Sequence, residues 1–105
     1  MSTIRNPLEL LAQDPIQLSL VSVKSKLMII ITKLIREKCW TQAQAAKEFG
    51  ISQPRISDLM NGKISKFSID TLLEILGYLG YLLDIKFNPE DDSNPIKMDI
   101  KKTAV

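Results

Sequence analysis

The segment from Thr41 to Lys63 constrains the fold of this 105-residue chain more than any other segment. Thr41 and Gln44 have the spacing at which a threonine side chain and a glutamine side chain cap the first turn of a helix reciprocally. Gly50 follows two turns later and allows a positive φ without a Cβ clash, and Ser52 then caps a further helix. That helix ends at Asn61-Gly62, so the segment predicts two short helices joined by a tight turn.

The same segment predicts how the two helices pack. Ala46 is small enough to let two steeply crossing helices approach each other closely. Ile56 and Leu59 lie three residues apart and share one helix face, so they anchor the second helix to a core in which Phe49 is available opposite. An ordinary helical hairpin with a solvated surface is the alternative interpretation. We disfavour this alternative because the small residue, the turn glycine, the caps and the apolar anchors all occur together at the required offsets.

Helical periodicity extends on both sides of this segment. Asp14-Pro15 has the form of a helix start, and the helix runs to about Lys38 with a weak patch at Val21–Val23 that could kink or break it. A fourth helix begins at Ser68 and ends near Gly80. We expect Cys39 to be a small buried residue and Trp40 to pack against the core or a cap. The first helix carries one apolar stripe at steps of three and four, formed by Ile16, Leu20, Val23, Leu27, Ile30/Ile31 and Leu34.

After residue 80 the periodicity becomes two-fold. Alternating apolar and charged residues predict a strand at Tyr81–Phe87 and a second strand at Ile96–Lys101, separated by a loop. The two strands form a hairpin or parts of a sheet shared between chains, and a disordered charged tail is the alternative for the second. The expected organisation is an N-terminal arm over residues 1–13, a mainly α-helical domain over 14–80, and C-terminal strands and tail over 81–105.

The charge is distributed unevenly along the chain. Residues 22–67 contain nine basic and three acidic residues, a net charge of +6, whereas the remainder carries −4, which together give the overall +2. A basic middle between acidic flanks suits binding to a polyanion, although lysines that simply solvate the first helix would give the same pattern.

Other classes of function find little support. The chain has no histidine and one cysteine, and it shows no metal-ligand cluster, glycine-rich phosphate loop or nucleophile with its base. We therefore expect no enzymatic activity, no metal site and no cofactor. The longest apolar run, Leu27–Ile31, is too short to span a membrane, and no secretory signal is evident, so a cytoplasmic location is expected.

Residues 41–63, TQAQAAKEFGISQPRISDLMNGK, resemble the helix-turn-helix of the Cro/C1-repressor type (XRE family). The similarity extends from about Asp14 to Phe87 and is closest to the HigA-like antitoxin and small regulator branch. The resemblance implies a lambda-repressor-like fold of four to five helices with a short C-terminal strand or hairpin used in dimerisation. It also implies that Gln42 contacts a phosphate and that the segment from Asn61 to Lys66 follows the DNA backbone. Gln53, Pro54, Arg55 and Asp58 would face the major groove.

Side-chain chemistry suggests individual roles on double-stranded DNA. The guanidinium of Arg55 matches guanine O6 and N7, with a phosphate contact as the alternative. Gln53 suits adenine or a phosphate equally, and Asp58 could accept from cytosine, repel misplaced phosphate or pair with Arg55. Pro54 favours an apolar contact with a thymine methyl. The full set of expected DNA-binding residues is Gln42, Ser52, Gln53, Pro54, Arg55, Ser57, Asp58, Asn61, Lys63 and Lys66.

A single helix-turn-helix reads only a few base pairs, and a lone strand leaves an unpaired edge, so we expect a homodimer. Its interface would contain Tyr81, Leu83, Ile85 and Phe87. These observations predict a repressor or autorepressor that reads a palindromic operator with half-sites about 34 Å apart. The alternative function is that of an antitoxin, which would also bind and neutralise a small toxin protein.

Overall fold

The computed structural model describes residues 14–103, so the predicted arm over residues 1–13 lies outside it. The described chain folds into four α-helices followed by a two-stranded antiparallel hairpin, which confirms the predicted fold class. The elements are α1 (Pro15–Glu37), α2 (Gln42–Phe49), α3 (Gln53–Met60), a 3₁₀ turn (Ile64–Lys66), α4 (Ile69–Tyr78), β1 (Tyr81–Phe87) and β2 (Ile96–Lys102).

Side-chain caps start the helices where the sequence predicts them. The Asp14 carboxylate accepts hydrogen bonds from the backbone N–H groups of Ile16 and Gln17 at 3.0 and 3.2 Å, and Pro15 opens α1. The Ser68 hydroxyl accepts from the N–H of Thr71 at 3.2 Å at the start of α4. These contacts satisfy backbone donors that have no partner within the helix, which fixes both helix starts.

The core lies where the C-terminal half of α1 meets the three shorter helices. Ile31 and Ile35 of α1 are fully buried there, together with Ile56 of α3 and Leu72 of α4. The remaining buried apolar residues come from the same elements and from the connection before α4. They are Leu27, Met28, Ala45, Ala46, Phe49, Leu59, Phe67, Ile75 and Leu76.

The predicted stripe along α1 is only partly correct. The helix is continuous through Val21–Val23, but Ile16 is 70% exposed and Leu20 and Val23 are about 40% exposed. The buried face of α1 is formed by Leu27, Met28, Ile31, Thr32 and Ile35. Among residues 14–103, the buried residues of this helix begin only at Leu27, so the N-terminal part of the stripe keeps the apolar period without being buried.

Cys39 is exposed, so the expectation that it is buried was wrong. The residue ends α1 in the left-handed conformation, with φ 57°. The Trp40 N–H donates to the Ile35 carbonyl and the Cys39 N–H donates to the Arg36 carbonyl, at 3.3 and 3.0 Å, which is the Schellman pattern of a helix end. Trp40, the next residue, packs against the core and meets the ring of Phe49 edge-on at 5.9 Å, as predicted.

β1 and β2 form an antiparallel hairpin, which confirms the second strand. Tyr81 pairs with Lys102 and Phe87 with Ile96, so every position of β1 has a partner. The base of the hairpin is held where the Thr103 N–H and hydroxyl both donate to the Gly80 carbonyl, at 2.7 and 3.1 Å. β1 is therefore not a lone strand, and the need to pair its edge with another chain is weaker than the sequence suggested.

Candidate nucleic-acid interface

Local interactions fix the relative placement of α2 and α3. The Thr41 hydroxyl accepts from the Gln44 N–H at 3.1 Å, and the Gln44 side chain accepts from the Thr41 N–H at 2.9 Å. Gly50 then turns the chain with φ 67°, and the Ser52 hydroxyl accepts from the Arg55 N–H at 3.4 Å. The reciprocal cap and the left-handed glycine confirm the predicted helix–turn–helix geometry.

The inner face of α3 is anchored in the core. Ile56 is fully buried and Leu59 is 1% exposed. Phe49 of α2 is also buried. Ala45 and Ala46 are buried on the same helix, so its packed face contains two small side chains. With one face of α3 held by two large apolar residues, the opposite face has a fixed orientation toward solvent.

That opposite face is polar and accessible. Pro54, Ser57, Asp58 and Asn61 lie three or four residues apart, which places them on one side of the helix. Pro54 and Asn61 are exposed, whereas Ser57 and Asp58 are half-buried. The Asn61 amide donates to the Ser57 hydroxyl at 3.3 Å, so this face already contains an ordered pair of polar groups.

The remaining residues of the predicted DNA-binding set lie at the start of α2, at the start of α3 and in the segment that follows α3. Gln42 is the first residue of α2 and is exposed, and Gln53 and Ser52 are exposed at the start of α3. Lys63 and Lys66 are exposed in and beside the 3₁₀ turn that follows α3. The structure thus places every residue of the predicted DNA-binding set except Gln42 on α3, at its N-cap or in the segment that follows it.

Arg55 does not project freely from α3. Its Nη1 donates to the Lys66 carbonyl at 3.3 Å, and its Cζ lies 4.5 Å from the centroid of the Phe67 ring. Within residues 14–103 the only ion pairs are Lys97–Asp91 and Lys101–Asp84, so Arg55 is not paired with Asp58. No sequence signal pointed to Phe67 as a partner of Arg55, because the two residues are twelve positions apart across a turn.

The hairpin presents one apolar face, in which β2 adds three residues to the predicted interface residues of β1. Tyr81 packs against the core, but the residues beyond it become progressively more exposed, from 36% at Leu83 to 59% at Ile85 and 69% at Phe87. The pairing register brings three residues of β2 to the same face. These are Ile96, Met98 and Ile100, which are 40–61% exposed.

An apolar groove continues this face toward the helices. It is lined by residues of α1, α4 and both strands, namely Val23, Leu27, Ile69, Leu73, Leu83, Met98 and Ile100. The N-terminal half of α1 and the hairpin therefore border the same depression. The opposite hairpin face is charged, and there Lys101 and Asp84 form an ion pair at 3.4 Å.

Within residues 14–103, histidine, cysteine, aspartate and glutamate do not gather in a group of three or more that could hold a metal ion. None of the helices in this part of the chain is both long and apolar enough to cross a membrane.

Comparison with known protein families agrees with this geometry. A family model described as a helix-turn-helix domain matches residues 13–88, which cover α1 to the end of β1. The chain therefore belongs to this family of helix-turn-helix domains and is a DNA-binding protein. No curated protein matches the sequence.

Proposed function

We propose that the protein is a transcriptional repressor that reads double-stranded DNA by inserting α3 into the major groove. The observation that carries this proposal is the polar outer face of α3, which is held rigidly because Ile56 and Leu59 anchor the opposite side. A helix docked by its first turns can bring such side chains to base edges. The order of the elements supports membership of the Cro/C1-repressor type.

The proposed contacts divide into base reading and positioning. Pro54, Ser57 and Asp58 lie on the outer face of α3 and contact base edges, with Pro54 against a thymine methyl and Asp58 accepting from cytosine. The side chains around this face contact phosphates and fix the register of the protein on the duplex. They are Gln42, Ser52, Gln53, Asn61, Lys63 and Lys66. Arg55 lies next to these residues through its contact with the Lys66 carbonyl.

Selection of bound duplexes from random DNA tests this proposal. Asp58→Ala should relax the preference at one symmetric pair of positions, because it removes a base contact. Lys63→Ala should weaken binding to all sequences together, and Lys97→Ala on the hairpin serves as the matched lysine control. Failure of the unaltered protein to enrich any sequence or to shift DNA at low salt, where phosphate attraction is strongest, would contradict DNA reading by this chain.

We also propose that the protein binds DNA as a homodimer through the apolar hairpin face. A hairpin of two strands is marginally stable by itself, and here its six apolar side chains are uncovered on one face. On the other face Asp84 lies opposite Asp99 and Lys86 opposite Lys97, which are unfavourable pairs. A covering partner would supply the burial that the hairpin lacks.

The size and composition of the face favour a second copy as that partner. The six residues are 36–69% exposed and lie on one face in the pairing register, so they form one apolar patch. A contiguous apolar patch of this kind marks a surface that binds a protein partner. All six residues are uncharged, so a second copy covers them without desolvating a charge.

The oligomeric state tests the dimer directly. Light scattering coupled to size exclusion should give twice the chain mass at micromolar concentration, whereas a monomer would contradict the proposal. A small toxin protein is the alternative occupant of the face. A chain that is monomeric alone but co-purifies with the product of an adjacent gene, and relieves the growth arrest that this product causes, would act as an antitoxin instead.

A further inference from the structure

Arg55 links the start of α3 to the end of the loop that follows this helix. It lies in the first turn of α3, and its guanidinium contacts the Lys66 carbonyl and the Phe67 ring on the far side of the segment Asn61–Lys66. The ring of Phe67 is 2% exposed and belongs to the core, so it offers a fixed platform. A planar guanidinium stacks on an aromatic face and donates in its own plane at the same time.

We propose that Arg55 is a positioning residue that holds the Asn61–Lys66 loop against α3 and does not itself read a base. This inference rests on the proposed DNA-binding function. The loop carries Lys63 and Lys66, and closing it against α3 fixes the backbone from which these two flexible, exposed side chains extend. The loop then loses its conformational entropy when the protein folds, so DNA binding does not carry that cost.

The geometry argues against base reading by Arg55. Bidentate recognition of guanine needs two parallel N–H groups of the guanidinium directed at O6 and N7. In the free protein Nη1 is bonded to a carbonyl and one side of the plane is covered by the Phe67 ring. Using Nη1 and Nη2 together to read O6 and N7 would compete with the Lys66 contact, although the stack on Phe67 leaves the in-plane donors free.

Two substitutions separate the roles because only one of them lies at the surface. Arg55→Lys keeps the charge but removes the planar stack, and Phe67→Leu keeps an apolar core residue but removes the ring from a position that DNA cannot reach. Arg36→Lys and Phe49→Leu are the matched controls, the first for an arginine on α1 and the second for loss of a buried ring from the core. Each variant is measured as the full chain, together with the Arg55→Lys/Phe67→Leu double variant.

The expected result is the same phenotype from both test variants. Each weakens binding to the selected duplex by about two- to five-fold, the equivalent of one exposed cation–π contact, without changing the base preferences at any position. The double variant binds DNA as tightly as the single variant with the lower affinity, because both substitutions remove the same interaction. Arg36→Lys leaves affinity unchanged, and Phe49→Leu shows no coupling to Arg55→Lys.

Measurements on the free protein keep this inference separate from DNA binding. The Phe67 ring current should shift the NMR signals of the Arg55 side chain upfield, and Phe67→Leu should abolish that shift. If Arg55→Lys loses preference at one pair of base positions while Phe67→Leu does not, Arg55 reads a base and the inference is wrong. It is also wrong if the two effects multiply in the double variant or if the upfield shift is absent. If the unaltered protein binds no DNA, the proposed function fails, and the NMR result alone decides whether the contact exists.

Discussion

Replacing Ile85 by alanine measures the contribution of the apolar hairpin face to self-association. Burying a large aliphatic side chain fully contributes about 1.5–3 kcal/mol, and Ile85 is 59% exposed, so covering the exposed part contributes about 1–2 kcal/mol by the same scale. A two-fold dimer contains two copies of Ile85 at its interface, so Ile85→Ala should reduce the free energy of dimerisation by about 2–4 kcal/mol. The dimer dissociation constant should rise roughly 30- to 1,000-fold, as measured by sedimentation equilibrium from nanomolar to micromolar concentrations.

Leu82→Ala provides the matched control for this measurement. Leu82 is also 59% exposed and lies on β1, but it faces the charged side of the hairpin, opposite Lys101. Its truncation should leave the dimer dissociation constant within about two-fold of the original value, since surface substitutions away from special features change little. Equal effects of Leu82→Ala and Ile85→Ala, or no effect of either, would refute packing through this face and favour association through a strand edge.

Three further predictions concern backbone conformation, helix capping and charge. Gly50→Ala should lower the free energy of unfolding in urea by about 1–2 kcal/mol, because the φ of Gly50 is 67°. Gly77→Ala lies in a helix with open space around it and should raise the free energy of unfolding by about 0.5–1 kcal/mol. Changes of the same sign in both variants would contradict this prediction. Thr41→Ala should cost about 1 kcal/mol in the same assay through loss of the reciprocal cap, and an unchanged midpoint would argue against it. Lys63→Ala and Lys66→Ala should each reduce the slope of log affinity against log salt by about 1 without altering sequence preference, and a parallel slope would exclude a phosphate contact.

Much of the candidate site could be predicted because its determinants are local. The caps at Thr41 and Ser52 and the turn at Gly50 depend on hydrogen bonds and backbone angles within a few residues, which sequence spacing specifies. The anchoring by Ile56 and Leu59 follows from helical periodicity combined with apolar character. These features gave the orientation of α3, and hence the list of side chains around it, without knowledge of the rest of the fold.

Periodicity failed where burial depends on what lies opposite. Ile16 and Leu20 continue the apolar pattern of α1 but are exposed, because within residues 14–103 the packing that buries α1 begins only at Leu27. Cys39 was expected to be buried from its residue type, yet a left-handed backbone at the helix end leaves it at the surface. The pattern identifies a face of an element, but only packing decides whether that face has a partner.

The helix-turn-helix at Thr41–Lys63 was determined by the sequence itself, because caps, a glycine turn and an apolar pair act over short distances. The placement of the Arg55 guanidinium on Phe67 and Lys66 was decided only by tertiary structure, since it depends on how the chain returns after α3. The pairing of β1 with β2 likewise joined two apolar strand faces into one exposed surface. In both cases the deciding contacts join residues far apart in the chain, and no local energy term specifies them.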